Sequence, residues 1–255
     1  MTRLDLTERR DRIIALLSEK GALSAAELSE RLAVSVQTIR ADLRDLDDAA
    51  LVQRRNGTAR LRQQSENIGY LPRQSISRQE KQRIALAVKN LIPDGARVAL
   101  GTGTTVEHCA RLLASRQNLF VATNSIHAVC ALQNAPGTAV EMAGGSVRMR
   151  DLDMIGGAAL EFFAKYRVDY AVFSCGGLSP SGAVMDYNSD EISARKAIAN
   201  CAHTTILVAD SEKAGLDLAC RHAHLWEYDI VVAGGEFSAE IVQNCARHGC
   251  QFIHV

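Results

Sequence analysis

The sequence lacks the features of a membrane or exported protein. Its 255 residues contain no apolar run near the roughly 20 residues that a membrane-spanning helix requires. The N-terminal segment MTRLDLTERRDR is charged throughout and has no apolar stretch of the kind found in signal peptides. Internal repeats and low-complexity segments are absent as well. We therefore expect a soluble cytoplasmic protein without a membrane partner, long enough for two domains.

The sequence also lacks paired cysteines. It has seven cysteines, an odd number, and none of them forms a CxxC pair. Cys245 and Cys250 are poorly spaced for zinc, and no second pair could complete a four-ligand site. We expect buried, reduced thiols, and we expect neither a metal site nor a cofactor.

The sequence also has no net charge at neutral pH. The 29 Lys and Arg residues balance the 29 Asp and Glu residues, and residues 1–63 carry twelve of the former and ten of the latter. A broad positive field is therefore absent, and local clusters must supply any affinity for phosphate groups. Assembly into a homodimer or homotetramer would multiply such contacts.

What the sequence does contain is a helix-turn-helix pattern, and its first helix starts at Ser24. Ser24 and Glu27 have the spacing of a capping box, in which each side chain bonds the other residue's amide. Leu28 and Leu32 then fall on one face of the predicted helix. Residues 33–34 form the turn.

The second helix has the pattern expected of a recognition helix. Ser35 is a favourable N-cap, and Ile39, Leu43 and Leu46 recur at the spacing of a buried stripe. The first turns of such a helix read bases in the major groove, where Arg and Gln suit base edges. The residues of this helix that we expect on DNA are Ser35, Gln37, Thr38, Arg40 and Arg44.

A basic hairpin follows this helix. Residues 51–53 and 59–61 can pair around Arg54, Arg55, Asn56 and Gly57, and Asn-Gly is a strong hairpin signal. We expect Arg54, Arg55 and Asn56 at the tip, where they would reach phosphates or the minor groove. The whole pattern predicts a winged helix-turn-helix, mostly α with a small β wing. The alternative is an ordinary small helical domain with a solvated charged face.

The composition predicts two domains. Residues 63–77 are polar, include Gly69 and Pro72, and are interpreted as a linker with a short strand around 68–71. Residues 1–62 would form the DNA-binding domain. A helical pattern resumes at Arg78 and opens a second domain, 78–255.

The second domain alternates between strand and helix patterns, which predicts an α/β fold with a largely parallel sheet. The predicted strands are 98–100, 119–122, 140–143, 170–173, 205–208, 230–233 and 252–255.

Glycines and polar side chains gather just after these strands. Ligands of open α/β sheets bind at the carboxyl ends of strands, so we expect the clusters to converge on one crevice. The run 101–105, GTGTT, leads directly into a helix, whose N-terminus favours an anion such as phosphate. Glycines after strands are otherwise common in simple turns. The candidates of this group are Gly101, Thr102, Gly103, Thr104, Thr105, Thr123, Asn124, Ser125, Gly144, Gly145, Gly176 and Gly177.

Three charged residues complete the predicted effector site. Lys196 and Lys213 could bind a phosphate or sugar acid as point charges, and either could equally be a surface lysine. Glu191 could accept hydrogen bonds from sugar hydroxyls, or it could only stabilise a helix N-terminus.

The whole chain resembles the DeoR-type bacterial transcriptional regulators. The motifs that carry the resemblance are Val34-Ser35, Thr38-Ile39-Arg40, Asp42-Leu43 and Leu46 in the first domain, and GTT at 103–105, TNS at 123–125, AGG at 143–145, Glu191, Lys196-Ala197 and D-S-x-K at 210–213 in the second.

The resemblance implies a fold and a function. Members of this family join a winged helix to a sensor domain similar to ribose-5-phosphate isomerases and CoA transferases. It implies a repressor of a carbohydrate-use operon that a phosphorylated sugar or derivative releases from operator DNA. The opposite polarity, an activator or a co-repressed regulator, stays open. Ala41 departs from the family, which usually has a second arginine there, so one phosphate or base contact is missing at this position.

An enzyme is the alternative reading. The family usually has an aspartate where Gly101 stands, so GTGTT is even closer to the phosphate loop of ribose-5-phosphate isomerases. Isomerisation requires a positioned carboxylate base, yet the acidic catalytic motif of those enzymes has no counterpart in this sequence. An isomerase would also leave the winged helix unexplained, so we predict no catalytic residues.

Overall fold

The computed structural model describes residues 6–48, 51–55, 57–61 and 70–255. The chain divides into two compact units, Met1–Arg78 and Gln79–Val255. The elements that begin in the N-terminal unit are, in chain order, α1 (Leu6–Lys20), β1 (Leu23–Ser24), α2 (Ala25–Leu32), α3 (Val36–Asp48), β2 (Val52–Arg55), β3 (Thr58–Leu61), α4 (Tyr70–Ser75) and α5 (Arg78–Leu91).

The C-terminal unit contains the remaining elements and confirms the predicted mixed α/β class. They are β4 (Arg97–Leu100), α6 (Thr104–Leu113), β5 (Phe120–Thr123), α7 (Ile126–Ala131), β6 (Ala139–Met142), β7 (Val147–Arg148), β8 (Asp153–Met154), α8 (Gly157–Phe163), β9 (Val168–Ser174), β10 (Gly177–Leu178), β11 (Ala183–Asp186), α9 (Ser189–Asn200), β12 (Ala202–Ala209), β13 (Cys220–His224), β14 (Ile230–Ala233), α10 (Ala239–Arg247) and β15 (Gln251–His254).

The helix-turn-helix forms as its caps and periodicity predict. The Ser24 Oγ accepts a hydrogen bond from the Glu27 amide, and the Glu27 carboxylate accepts one from the Ser24 amide. Ala33 ends α2 in the left-handed conformation at φ 53°. The Ser35 Oγ caps α3 by accepting from the Thr38 amide at 3.1 Å. The predicted buried stripes of both helices lie in one core, which α1 completes.

Loss of the α2 cap is expected to destabilise the N-terminal unit. Replacing Ser24 by alanine removes the acceptor for the Glu27 amide, and such changes typically cost about 1 kcal/mol. We expect Ser24→Ala to lower the midpoint of thermal unfolding measured by circular dichroism. Glu27→Gln is the matched variant, because a glutamine oxygen can still accept from the Ser24 amide. An equal loss in both variants would contradict a specific role for the Ser24 hydroxyl.

The wing is a three-stranded antiparallel sheet rather than a simple hairpin. Its strand order is β1-β3-β2, so the short β1 that precedes α2 pairs with β3. Arg55 pairs with Thr58, which places Arg54 and Arg55 within the strand β2. The sequence had predicted both arginines at the tip of the hairpin. Asn56 lies outside the described residues.

Part of the predicted linker is helical. Tyr70–Ser75 forms α4, whereas the sequence pattern predicted a linker with a strand around residues 68–71. Residues 62–69 lie outside the described part of the chain. Tyr70 and Ile76 are buried, and Ile76 joins the core of the N-terminal unit. Burial of these two apolar side chains explains why a polar segment adopts ordered structure here.

The C-terminal unit is built on a seven-stranded, wholly parallel sheet of order β15-β14-β12-β9-β4-β5-β6. All seven predicted strands are present in it. Because every strand runs in the same direction, all seven carboxyl ends lie at one edge. That edge is where ligands bind in open α/β sheets.

Helices cover both faces of this sheet. Along β12, Ile206 and Val208 point to one core and Leu207 and Ala209 to the other. The first core includes residues of α5, α6 and α7, and the second includes residues of α8, α9 and α10. Burial on both faces explains why these strands are continuous apolar runs in the sequence.

Several shorter elements were not predicted from the sequence. The strands β10, β11 and β13 form a small antiparallel sheet, and β7 and β8 form a hairpin. Several of these strands have only two residues, too few to show an alternating pattern. In the described part of the chain, no helix combines the length and apolar character needed to cross a membrane. Of the seven thiols, five are buried, Cys220 is half-buried, and Cys130 is exposed, contrary to the expectation for that residue.

Candidate functional site

The exposed face of α3 carries the predicted DNA-contacting residues. Gln37, Arg40 and Arg44 are exposed, as is Ala41 between them. Ser35 and Thr38 share a hydrogen bond between their hydroxyl groups at 2.8 Å. These two hydroxyls therefore form hydrogen bonds at the N-terminus of α3, while the side chains of Arg40 and Arg44 extend into solvent.

A buried ion pair holds this helix in place. Asp42 is 2% exposed, and both of its oxygens accept hydrogen bonds from Arg9 of α1, at 2.5 and 3.1 Å. Arg10 adds a third contact at 3.3 Å. A buried carboxylate needs such partners, so Asp42 fixes α3 against α1 and leaves the opposite face free.

The wing adds further positive charge. Arg54 and Arg55 are exposed on β2. On the neighbouring strand, Arg60 donates to the Gln53 side chain at 2.8 Å. The predicted DNA-contacting residues, Asn56 apart, thus lie on the surface of one unit. Arginines of this kind suit phosphate oxygens and base edges.

In the C-terminal unit, the GTGTT loop follows β4 at the carboxyl edge of the sheet. A Cβ on Gly101 would lie 3.1 Å from the Phe173 Cβ, so the loop passes close to the neighbouring strand. Gly103 has a φ of +112°, which disfavours other residues, and it leaves the N-terminus of α6 without a side-chain cap. Thr104 and Thr105 are buried in the first turn of α6. The first amides of a helix have no carbonyl partner within it.

The TNS segment follows β5 at the same edge. The Thr123 Oγ1 donates to the Leu100 carbonyl at 2.8 Å, and the Ser125 Oγ caps α7. These two hydroxyls therefore stabilise the fold. Asn124 donates its amide to the Met154 carbonyl at 2.7 Å, but its Oδ1 has no hydrogen-bond partner within the described structure, although the residue is 1% exposed.

The two segments meet at a pocket of about 270 Å³, part of it open to solvent. Four of the predicted residues line it, namely Gly101, Thr102, Asn124 and Glu191. The remaining lining residues are Ile155, Phe173, Ala194, Arg195 and Ile198. An unpartnered amide oxygen and a carboxylate in one pocket are acceptors for hydroxyl donors of a ligand.

Paired charges surround the pocket. Arg195 donates to both oxygens of Asp186, which is fully buried, and to the Ser174 carbonyl at 2.5 Å. Burial raises the pKa of Asp186 to about 6 despite the opposing charge of Arg195, and the nearby Glu191 adds to the rise.

Glu191 itself is held by a second arginine. Arg148 joins Glu191 at 2.7 Å to Asp153 at 2.7 Å and thereby connects the hairpin of β7 and β8 to α9. Burial opposes ionisation of Glu191, but Arg195 and Arg148 outweigh it and lower its pKa. Glu191 therefore stays an acceptor at neutral pH.

Several predicted residues lie outside the pocket lining. Gly144 and Gly145 are in the exposed loop after β6. A Cβ on Gly176 would lie 2.8 Å from Asp186, and one on Gly177 would lie 2.6 Å from the Leu216 carbonyl, so these glycines permit close packing. Lys196 is exposed on α9, and Lys213 is half-buried after β12. Thr104 and Thr105 are buried in the first turn of α6 and do not line the pocket.

Arg195 and Arg148 were not among the residues predicted from the sequence. Glu191, Arg195 and Ile198 recur at i, i+4 and i+7 along α9 and all line the pocket. Helical spacing from Glu191 would therefore have favoured Arg195 over its neighbour Lys196. Arg148 lies in a two-residue strand, and no sequence signal marked it.

Comparison with known families gives two matches. Residues 9–65 match the DeoR-like helix-turn-helix domain, and residues 76–234 match the DeoR C-terminal sensor domain. The chain belongs to the DeoR family. In this family member, both predicted functional surfaces lie within the matched ranges.

Curated DeoR-family relatives cover nearly all of the chain. The HTH-type transcriptional repressor CsqR of Escherichia coli (strain K12) is 35% identical over 213 residues, 84% of this chain and 82% of that protein. The glycerol-3-phosphate regulon repressor of the same organism is 31% identical and covers 96% and 97%. Its counterpart in Haemophilus influenzae is 34% identical and covers 89% and 88%.

The relatives decide between regulator and enzyme. They are transcriptional repressors with the same helix-turn-helix domain, so this DeoR-family chain is a DNA-binding transcriptional regulator and not an isomerase. Among solved structures, a ribose 5-phosphate isomerase of Methanocaldococcus jannaschii covers 54% of each chain at 16% identity, with a TM-score of 0.39. That score is too low for any inference about activity.

Proposed function

We propose that this regulator represses a carbohydrate-use operon and that a small phosphorylated sugar or polyol releases it. The pocket carries the proposal, because its lining combines hydroxyl acceptors with Gly101 and Thr102 of the loop that leads into α6. Gly103 leaves the N-terminus of α6 without a side-chain cap, and we propose that the effector's anionic group binds there. The Asn124 Oδ1 and Glu191 are acceptors suited to hydroxyl groups. Two relatives are named for the glycerol-3-phosphate regulon, and glycerol 3-phosphate combines these chemical features.

Each proposed role is assigned to a part of the chain. Residues 1–62 bind operator DNA through α3 and the wing, and residues 78–255 bind the effector. Residues 63–77 are the linker between these two domains. The proposed DNA contacts are Ser35, Gln37, Thr38, Arg40, Arg44, Arg54, Arg55 and Asn56. The proposed effector contacts lie along the carboxyl edge from Gly101 to Lys213, with Thr102, Asn124 and Glu191 nearest the ligand and Arg195 added to the predicted set.

Release follows from linkage between the two sites. A homodimer or homotetramer would hold its winged helices at the spacing of operator half-sites. An effector that binds better to a different arrangement lowers operator affinity, and operator DNA must lower effector affinity by the same factor. Such a regulator acts in the cytoplasm and associates with the nucleoid when bound to DNA. An effector that raised operator affinity instead would identify a co-repressed regulator or an activator.

A matched pair of variants at Thr102 tests the anionic nature of the effector. Thr102 lines the pocket beside the start of α6 and is only half-buried. Asp and Asn have nearly the same shape, but only Thr102→Asp adds a negative charge. A like charge about 5 Å from a bound phosphate costs enough to weaken binding at least tenfold at an effective dielectric near 20.

The measurement is calorimetric titration of the full chain with glycerol 3-phosphate, glucose 6-phosphate and inorganic phosphate. We expect a probe that binds the wild type to bind Thr102→Asn much more tightly than Thr102→Asp. Equal affinities in the two variants would show that no anion lies beside α6. A ligand that binds without a phosphate group would contradict the proposed effector class.

A further inference from the structure

The first turn of α5 is joined to the GTGTT loop through a buried carboxylate. The Lys81 Nζ lies 3.5 Å from the Asp210 Oδ2, and each side chain is only 3% exposed. The Thr105 Oγ1, from the first turn of α6, donates to the same oxygen at 3.2 Å. Asp210 therefore links the starts of two helices, one of which carries the proposed anion site.

A second contact fixes α5 at the same edge of the sheet. The Glu80 carboxylate accepts hydrogen bonds from the Ser211 amide at 3.0 Å and from the Ser211 hydroxyl at 2.7 Å. It also occupies the space beside Gly234, where a Cβ would lie 1.6 Å from the Glu80 Oε1. The first turn of α5 is thus held at the ends of β12 and β14 by consecutive charged residues.

The carboxylate of Asp210 is incompletely paired. Its Oδ1 is buried and has no hydrogen-bond partner in the part of the chain that the structure describes, while Lys81 and Thr105 both approach the Oδ2. An unpaired buried acceptor is costly. A small shift of Lys81 or Thr105 that gave the Oδ1 a donor would lower that cost and would create a second arrangement of this cluster.

The position of α5 in the chain makes such a shift consequential. Arg78, its first residue, belongs to the N-terminal unit and forms an ion pair with Asp11 of α1 at 3.3 Å. Lys81 follows three residues later. A displacement of Lys81 therefore moves the helical turn from which the DNA-binding unit leaves the sensor.

We infer that Lys81, Asp210 and Thr105 form the switch that transmits effector binding to the DNA-binding unit. The inference rests on the proposed anion site at the start of α6. An anion bound there places negative charge next to Thr105 and changes its hydrogen bond to Asp210. The cluster then moves to its second arrangement and carries the first turn of α5 with it. Lys81 is a positioning residue and does not contact the effector.

Hydrogen exchange of the full-length protein tests the switch. Exchange of residues 101–108 reports on the anion site, and exchange of residues 78–84 reports on the first turn of α5. The probes are glycerol 3-phosphate, glucose 6-phosphate and inorganic phosphate. In the wild type, a probe that slows exchange at 101–108 is expected to change exchange at 78–84 as well, on the order of fivefold for a typical coupling.

Variants separate the switch from the pocket. Lys81→Met combined with Asp210→Asn removes both charges and leaves neither one buried alone. We expect it to keep the response at 101–108 and to lose the response at 78–84. Arg83→Met removes an exposed charge from the same helix and is expected to respond like the wild type. Ser211→Ala, a milder change, removes only one hydrogen bond to Glu80 and is expected to weaken the response at 78–84.

The outcomes are distinct. A response at 101–108 without one at 78–84 in the wild type overturns the switch and leaves the pocket intact. The same is true of an undiminished response at 78–84 in the double variant. No response anywhere to any of the three probes contradicts the proposed effector class and the switch together. The wild-type result alone can contradict the switch, so the experiment remains decisive even if the double variant does not fold.

Discussion

Replacing Arg40 and Arg44 together by alanine is expected to weaken operator binding about a thousandfold. Each arginine that contacts a base edge or phosphate is worth at least about 1 kcal/mol, and a dimer loses four such contacts. Four contacts at that value amount to about 4 kcal/mol, or roughly three powers of ten in Kd. The measurement is a DNA-binding titration at fixed salt, because phosphate contacts make affinity strongly dependent on salt.

The fold should tolerate this change. Both side chains are exposed on α3, opposite the stripe of Ile39, Leu43 and Leu46, which lies in the core. Surface substitutions of this kind usually alter the free energy of unfolding by less than about 0.5 kcal/mol. Arg247→Ala, an exposed charge on α10 of the other unit, is the control and should bind operator normally. Unchanged affinity in the double variant would refute the assignment of α3 as the recognition helix.

Replacing Arg195 by methionine is expected to destabilise the sensor unit by about 3 to 5 kcal/mol. The change leaves the fully buried Asp186 without its opposite charge, and breaking one side of a buried ion pair costs about this much. It also removes a donor from the Ser174 carbonyl. Denaturant unfolding followed by the fluorescence of Trp226, the single tryptophan, reports on this unit.

The loss should depend on pH in a defined direction. Burial already raises the pKa of Asp186 to about 6, and removal of Arg195 raises it further. A carboxyl whose pKa is higher in the folded than in the unfolded state binds its proton more tightly when folded, so stability rises as pH falls through the folded pKa. The difference between Arg195→Met and wild type should therefore be largest above the variant's folded pKa, shrink as pH falls toward 6, and change little below pH 6, where Asp186 is protonated in both folded proteins.

A second variant identifies the cause. Arg195→Met combined with Asp186→Asn removes both charges and should recover much of the lost stability, because no unpaired charge is left buried. A loss that stays the same at every pH and in the double variant would show that packing, and not the unpaired carboxylate, determines the effect.

The sequence predicted those parts of the molecule whose signals are local. The Ser24 and Ser35 caps, the stripe of α3 and the seven apolar strands all depend on neighbours within a few residues, and each is present. Burial on both faces made the strands easy to recognise, because it imposes continuous apolar runs.

The contents of the pocket were harder to predict because they depend on distant contacts. Thr123 and Ser125 carry the predicted hydroxyls, yet those groups bond the backbone. Arg148 reaches Glu191, 43 residues away, from a hairpin that has no periodic signal. Glycines after strands are equally ambiguous in sequence. Gly176 permits close packing against Asp186, whereas Gly103 precedes α6 and leaves its N-terminus without a side-chain cap.

One titration tests the central claim that a phosphorylated effector controls DNA binding. The full-length protein is titrated onto the promoter regions flanking its gene, with and without saturating phosphorylated sugars and polyols, at stated salt. We predict tight binding that one phosphorylated compound abolishes, and that the same compound raises the Tm of the free protein. Operator affinity that stays unchanged at saturation with every such compound would contradict the account.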